Sequence, residues 1–282
     1  MPAELTGRIC VVTGANRGIG RATAEGLAEL GASLVLVCRR REDGEAVSRE
    51  IAAKGRPVPD VVGADLSSQA SIRQAAAEIQ GRYPRLHVLI NNAGIISRRR
   101  EVTVDGLEMQ FAVNHLGYFL LTNLLLPQLR AGAPSRIVNV SSGAHSHASL
   151  DFADLQSERG YDPKEVYSRT KLANILFTYE LARRVGVTGV TVNCLAPGVV
   201  ATRMLGDYMG APRGSGVDST FGASPEKGAE TSIYLAAAPD VERVTGKYFV
   251  GRKPAASSRE SHDEAAARRL WEISERLTGL ST

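Results

Sequence analysis

A doubly wound α/β fold is the architecture to expect from this chain of 282 residues, on three observations. Seven short apolar runs recur along it and helical stretches separate them. The runs are also apolar on both faces instead of alternating, as strands buried between two layers of helices are. They are Ile9 to Thr13, Leu34 to Cys38, Val58 to Gly63, Val88 to Asn91, Arg136 to Ser141, Val190 to Leu195 and Tyr248 to Val250. A seven-stranded parallel sheet with helices on both faces follows. Between the first two runs, Ala22, Ala24, Leu27, Ala28 and Leu30 form a helical stripe that Gly31 ends. Residues 1–252 read as one domain. Residues 253–282 are polar at first and then helical around Leu270, Trp271, Ile273 and Leu277, which predicts an appended C-terminal helix. Two stretches break the rhythm. Residues 143–160 lengthen the connection after the fifth strand, and 203–224, with five glycines and only short apolar patches, predict a mobile substrate loop.

Composition removes several classes of function. Lys and Arg number 34 against 30 Asp and Glu, a net charge of +4, and the cations are scattered, so no nucleic-acid face is predicted. The longest apolar stretch, Leu116 to Leu129, is interrupted by Asn123 and Pro127 and falls short of the ~18 apolar residues of a membrane span. Met1 to Arg8 carries an acid and no apolar core, so no secretory signal is expected and the location expected is cytoplasmic. Cys10, Cys38 and Cys194 are odd in number, far apart and inside apolar runs, which predicts buried thiols and no metal site.

The first strand runs directly into Thr13-Gly14-Ala15-Asn16-Arg17-Gly18-Ile19-Gly20 and then a helix. Backbone N–H groups and the positive helix end converge there, where a pyrophosphate could sit and a Cβ would be in its way. Alone, such a turn is weak evidence, because many only pack a helix closely on a strand. With this turn the sequence resembles the short-chain dehydrogenase/reductase family, whose Thr-Gly-xxx-Gly-x-Gly pattern Thr13, Gly14, Gly18 and Gly20 match. Asn91-Asn92-Ala93-Gly94 closes the fourth strand, Tyr167-Ser168-Arg169-Thr170-Lys171 supplies Y-x-x-x-K, and Pro197-Gly198 follows the sixth strand. Val138 to Ser142, Asp154 to Glu158 and Ser168 to Phe177 are similar to the retinol dehydrogenase and WW-domain oxidoreductase branch.

The resemblance covers about residues 5 to 252 and implies a Rossmann-type fold, a nicotinamide cofactor and an oxidoreductase. By resemblance, Gly14, Asn16, Arg17, Gly18, Ile19 and Gly20 form the phosphate turn. Asp65 and Leu66 flank the adenine, Asn92, Ala93 and Gly94 line the ribose side, Pro197 and Gly198 open the cofactor-binding stretch after the sixth strand, and Val200 and Thr202 approach the carboxamide. Self-association through the Tyr167 helix is also implied.

Cofactor choice has a physical argument of its own. An acid about 20 residues past the glycines would hold the ribose 2′-hydroxyl of NAD, but Arg39, Arg40 and Arg41 stand after the second strand. Arg39 can grip a 2′-phosphate with a planar fork, and Arg17 can approach it from the Gly-rich turn, so NADP(H) is expected. The competing reading is a solvated Arg run, preferred for Arg41.

Hydride transfer to a carbonyl builds charge on its oxygen, so a proton donor and a polar neighbour are needed. Tyr167 and Lys171, at i and i+4, share a helix face, and an ammonium there should pull the Tyr pKa down from about 10. Ser142 is the serine that alignment on the strand favours for the substrate oxygen, with Ser141 facing the sheet. The resemblance adds that Lys171 holds the ribose and that Asn114 places a relaying water. His145 and His147 invite a hydrolase reading, but no G-x-S-x-G elbow is present, so they are expected at the entrance or on backbone groups. Arg98, Arg99 and Arg100 read as a solvated loop. Met204, Leu205, Tyr208, Met209 and Phe221 would give the 203–224 segment an apolar underside facing Ile95, Ile96, Leu150 and Phe152, which suits an apolar aldehyde or ketone. The rival to an enzyme is an NADPH-binding sensor or scaffold on the same fold.

Overall fold

A computed structural model describes residues 4–211 and 221–280. Seven strands pair in parallel: β1 (Ile9–Thr13), β2 (Ser33–Cys38), β3 (Asp60–Gly63), β4 (Val88–Asn91), β5 (Ser135–Val140), β6 (Val190–Ala196) and β7 (Tyr248–Val250). An eighth, β8 (Lys253–Pro254), returns antiparallel to β7, so the sheet is one strand wider than the apolar runs predicted. The sequence hides β8 because its two residues are exposed, and Pro254 is tolerated because an edge strand can lack a donor. The turn between them, Gly251 and Arg252, has positive φ at both positions, the two-residue hairpin geometry. The domain edge expected at residue 252 therefore falls inside a hairpin.

Strand order is β3-β2-β1-β4-β5-β6-β7-β8. Side chains of β1 alternate across the sheet: Val11 joins one core, while Cys10 and Val12 join the other. The Val11 side is covered by α3 (Gln69–Arg82), α5 (Gly117–Ala131) and α6 (Pro163–Val185). The Cys10 side is covered by α1 (Gly18–Glu29), α2 (Arg41–Ala53) and α8 (Pro225–Ala237). A short α4 (Met109–Phe111) leads through a π turn (Ala112–Leu116) into α5. Burial on both faces explains why the strands lack alternation in sequence, and Cys10, Cys38 and Cys194 are buried free thiols.

The C-terminal helix, α9 (Glu264–Thr278), starts where the Asp263 carboxylate accepts the Ala266 N–H at 2.9 Å. It is part of the core, not an appendage. The Trp271 ring centroid lies 4.8 Å from that of Phe119 and 5.9 Å from that of Phe177, with the Arg184 guanidinium 4.2 Å above it. Among the described residues no helix is long and apolar enough to cross a membrane. The order in which strands are added to the sheet reverses between β1 and β4, and the loops leaving their C-terminal ends part there to open a crevice.

Candidate active site

One cleft of about 1590 Å³ runs along that crevice. At one end Thr13 ties β1 to β4: its Oγ1 accepts the N–H groups of Asn92 and Ala93 at 2.9 and 3.0 Å. The Asn92 amide donates back to the Thr13 carbonyl at 2.9 Å, so its side chain braces the turn while Ala93 and Gly94 line the wall. A Cβ on Gly20 would lie 2.2 Å from the Gly14 oxygen and 2.3 Å from Asn92 Nδ2, so this approach requires glycine. Arg17 precedes α1 with no side-chain cap, and no acid stands in the first turn, which leaves that helix end open to an anion. These features fit a dinucleotide pyrophosphate.

After β2 the three arginines separate. Arg40 binds Asp43 through Nε at 3.0 Å and Nη2 at 2.7 Å, and Asn16 donates to the same carboxylate at 3.3 Å. Arg41 faces Glu45 and Glu78, each at 3.5 Å. Arg39 lines the cleft and forms no ion pair among the described residues. The Arg17 guanidinium is shifted down by burial and then by the nearby positive charges of Arg203 and Arg39, so cations gather at this end. Asp65 accepts the Ser67 N–H at 2.9 Å and hydroxyl at 2.7 Å, and with Leu66 forms the facing wall.

At the other end, Ser142, Tyr167 and Lys171 line the cleft together. Lys171 is 2% exposed; its Nζ donates to the Val140 carbonyl at 3.1 Å and lies 5.5 Å from the Tyr167 ring centroid. Burial drives the Lys171 pKa down to about 7. Burial also drives the Tyr167 pKa up to about 12, against the opposing hydrogen bond of Ser142. The expected lowering of the Tyr pKa is therefore reversed in the protein itself: desolvation acts on both groups, and the Lys171 ammonium points at Val140. Ser141 turns away and donates to the Lys171 carbonyl at 2.8 Å, supporting the helix that carries the pair.

Asn114 sits just behind the cleft wall, fully buried within the π turn. Its Oδ1 accepts the Ile95 N–H at 2.8 Å, and its Nδ2 donates to the Ile95 carbonyl at 2.9 Å and to Thr170 at 3.1 Å. Its side-chain amide thus braces the β4 exit against α6. A Cβ on Gly94 would lie 3.3 Å from Asn114 Oδ1 and 3.5 Å from Lys171 Nζ, so the missing side chain keeps Lys171 open to the cleft.

Pro197, Gly198, Val200 and Thr202 form the far wall, followed by α7 (Arg203–Met209), a helix where a loop was expected. Gly210, at φ 71°, ends it, and residues 212–220 of the expected loop lie outside the described residues. The Tyr167 hydroxyl donates to the Met204 sulfur at 3.6 Å, and the Tyr208 ring meets Tyr167 edge-on at 5.8 Å. Ile95, Ile96 and Leu205 also line the cleft, but Leu150 and Phe152 do not; they pack beside Phe111 and Leu172. Met209 and Phe221 are exposed. Arg98 is not merely solvated: it pairs with Asp207 at 3.6 Å and bonds the Ala211 carbonyl. The sequence motifs contain Thr13, Val140 and Thr170 but assign them no role, because Thr13 and Thr170 act as braces and Val140 acts through its carbonyl, which carries no sequence signal.

Comparison with known proteins agrees with this geometry. The short chain dehydrogenase family model matches residues 8–211. Retinol dehydrogenase 14 of Mus musculus is 46% identical over 295 residues, covering 99% of this chain and 88% of the relative. A crystal structure of an uncharacterized protein from Mycobacterium paratuberculosis superimposes with TM-score 0.81 at 34% identity, covering 99% of this chain and 96% of that one. The RhlG/NADP active-site complex of Pseudomonas aeruginosa gives TM-score 0.71 at 29% identity, covering 88% and 96%. With its open helix end, glycine turn and buried Tyr–Lys wall in one crevice, the chain belongs to the short-chain dehydrogenase family, oxidoreductases whose fold binds a nicotinamide cofactor.

Proposed function

We propose that this protein is an NADP(H)-dependent oxidoreductase that interconverts an apolar aldehyde or ketone and its alcohol. One observation carries the reading: a single cleft joins the open N-terminus of α1 to Ser142, Tyr167 and Lys171. When bound, the nicotinamide supplies hydride chemistry to the substrate carbon.

The chain's residues perform the remaining tasks. Tyr167 holds a proton at its hydroxyl, because burial keeps that group a phenol, and delivers it to the substrate oxygen as negative charge grows there. Ser142, half-buried beside it, donates a hydrogen bond to the same oxygen. Lys171, its pKa near 7 and its Nζ held on the Val140 carbonyl, stands where it can exchange protons near working pH and reach ribose hydroxyls past Gly94. Asn114 fixes the relative positions of Ile95 and Thr170, and so of the wall and the Tyr167 helix.

NADP(H) over NAD(H) is supported by Arg39, which lines the cleft just past β2 and forms no ion pair among the described residues, and by the occupancy of Asp43, whose carboxylate Arg40 and Asn16 already hold. The Pseudomonas aeruginosa relative is an NADP complex. An apolar substrate is supported by Ile95, Ile96, Met204, Leu205 and Tyr208 along the cleft and by the mouse relative's name. The test is absorbance at 340 nm with NADPH and with NADH against a panel of carbonyls. NADPH should be preferred, apolar carbonyls should turn over best, and Arg39→Asp should narrow or invert the preference. A wild-type preference for NADH would overturn the cofactor choice, and tight NADPH binding with no turnover would favour a sensor.

A further inference from the structure

Beside Ser142, the turn Gly143–His147 carries two histidines with different fates. His147 is exposed and lines the cleft. His145 is 3% exposed and lies between two backbone groups. Its Nδ1 is 2.7 Å from the Ser142 carbonyl oxygen, and the Ser258 N–H points at its Nε2 over 3.1 Å. A carbonyl can only accept and an amide N–H can only donate, so Nδ1 carries the proton and Nε2 is bare. Only the neutral ring in this tautomer satisfies both partners. The ring also meets Tyr248 edge-on, with centroids 5.0 Å apart, and Tyr248 lines the cleft.

Ser258 is itself fixed relative to α6. Its neighbour Ser257 bonds the Tyr179 hydroxyl at 2.8 Å, and Tyr179 lies on the same helix as Tyr167. His262 bonds Ser257 at 3.1 Å and stacks on Tyr179 at 5.3 Å. Among the described residues the Ser258 hydroxyl has no partner, so at this contact the residue acts through its N–H. Among the described residues the Ser142 carbonyl otherwise receives only the long 3.3 Å bond from the His145 N–H.

We propose that His145 is a positioning residue, a neutral strut that links the main chain of Ser142 to Ser258 in the C-terminal segment and so holds the Ser142 hydroxyl at a set place opposite Tyr167. The proposal rests on the reading of Ser142 as hydrogen-bond donor to the substrate. Removing the strut should loosen Ser142 without touching the dinucleotide end, which lies across the cleft.

The test uses the full chain, NADPH and an apolar aldehyde. An Asn amide nitrogen falls near Nδ1 and can keep the Ser142 bond, whereas a Gln amide reaches toward Nε2 and keeps only the Ser258 bond. His145→Gln should lower kcat by about tenfold with the NADPH Kd within about twofold of wild type, and His145→Asn should recover part of the loss. In a Ser142→Ala background, His145→Gln should cost little more, because both act through one group. Wild-type kcat in His145→Gln, or a fully additive loss in the double variant, would overturn the strut. Should His145→Gln fail to fold, the double-variant comparison is made with His145→Asn. Wild-type kcat in Ser142→Ala would instead remove the reading of Ser142, and the strut with it.

Discussion

Tyr167 and Lys171 stand four residues apart on α6, and the protein shifts them in opposite directions, the phenol up to about 12 and the amine down to about 7. A phenol that keeps its proton suits a donor in carbonyl reduction. Tyr167→Phe keeps the ring and removes the proton, so turnover should fall by ~10² or more with NADPH affinity nearly unchanged; retained turnover would sink the assignment. Lys171 also makes a prediction about stability. Its folded pKa lies below the ordinary 10.5, so between about pH 7 and 10.5 the unfolded chain binds more protons, and stability rises with pH across that window. Below pH 7 the buried ammonium costs on the order of 5 kcal/mol. Lys171→Met should therefore unfold at a higher temperature than wild type at pH 6, with the gap narrowing steadily above pH 7 and less than half of it left at pH 9. A gap that stayed constant would contradict the shift. The identities of both residues were readable from Y-x-x-x-K, but the direction of the Tyr167 shift was not, because i,i+4 spacing gives Cβ proximity and says nothing of Lys171 turning to a carbonyl on β5.

The elements divide by what kind of signal they leave. The parallel strands were legible because burial on both faces leaves continuous apolar runs, and β3 differs only in starting at Asp60, since Val58 is 74% exposed. The short β8 left none, and α7 was hidden by the glycines around it. Seven residues without a side-chain cap make a marginal helix, so α7 depends on what it touches. Met204 and Tyr208 rest on Tyr167, Lys164 lies 5.2 Å above the Tyr208 ring, and Asp207 meets Arg98. Such an element opens more readily than the sheet. Trypsin should cut after Arg203 quickly in the free protein, faster still in Asp207→Asn, and slowly with NADPH plus a poorly reacting apolar ligand. Equal rates in all three would show that α7 does not respond to the cleft.

At the scale of the whole molecule, the boundary expected at residue 252 and the packing of the C-terminal segment make opposite predictions. An appended helix could be removed with little effect. Here β8 pairs with β7, Gln69 donates to the Leu277 carbonyl at 2.8 Å, and Trp271, Leu270 and Ala267 are buried. Trp271 closes a ring cluster with Phe119 on α5 and Phe177 on α6, the two helices that cover the same face of the sheet. The amphipathic pattern around Leu270 and Trp271 revealed a helix, but pattern cannot tell a helix docked on its own domain from one docked elsewhere. Losing a buried Trp side chain costs about 3 to 5 kcal/mol, against a total stability of about 5 to 15 kcal/mol for a domain. Trp271→Ala should lower the unfolding free energy by about 3 to 5 kcal/mol, and the denaturation midpoint with it, while the folded fraction still binds NADPH. Ending the chain at residue 252 removes the whole of α9 and leaves the Phe119–Phe177 face in water. Urea unfolding followed by near- and far-ultraviolet circular dichroism should then show no cooperative transition. A truncated chain that unfolds cooperatively at the wild-type midpoint would make the C-terminal segment the appendage its composition suggested.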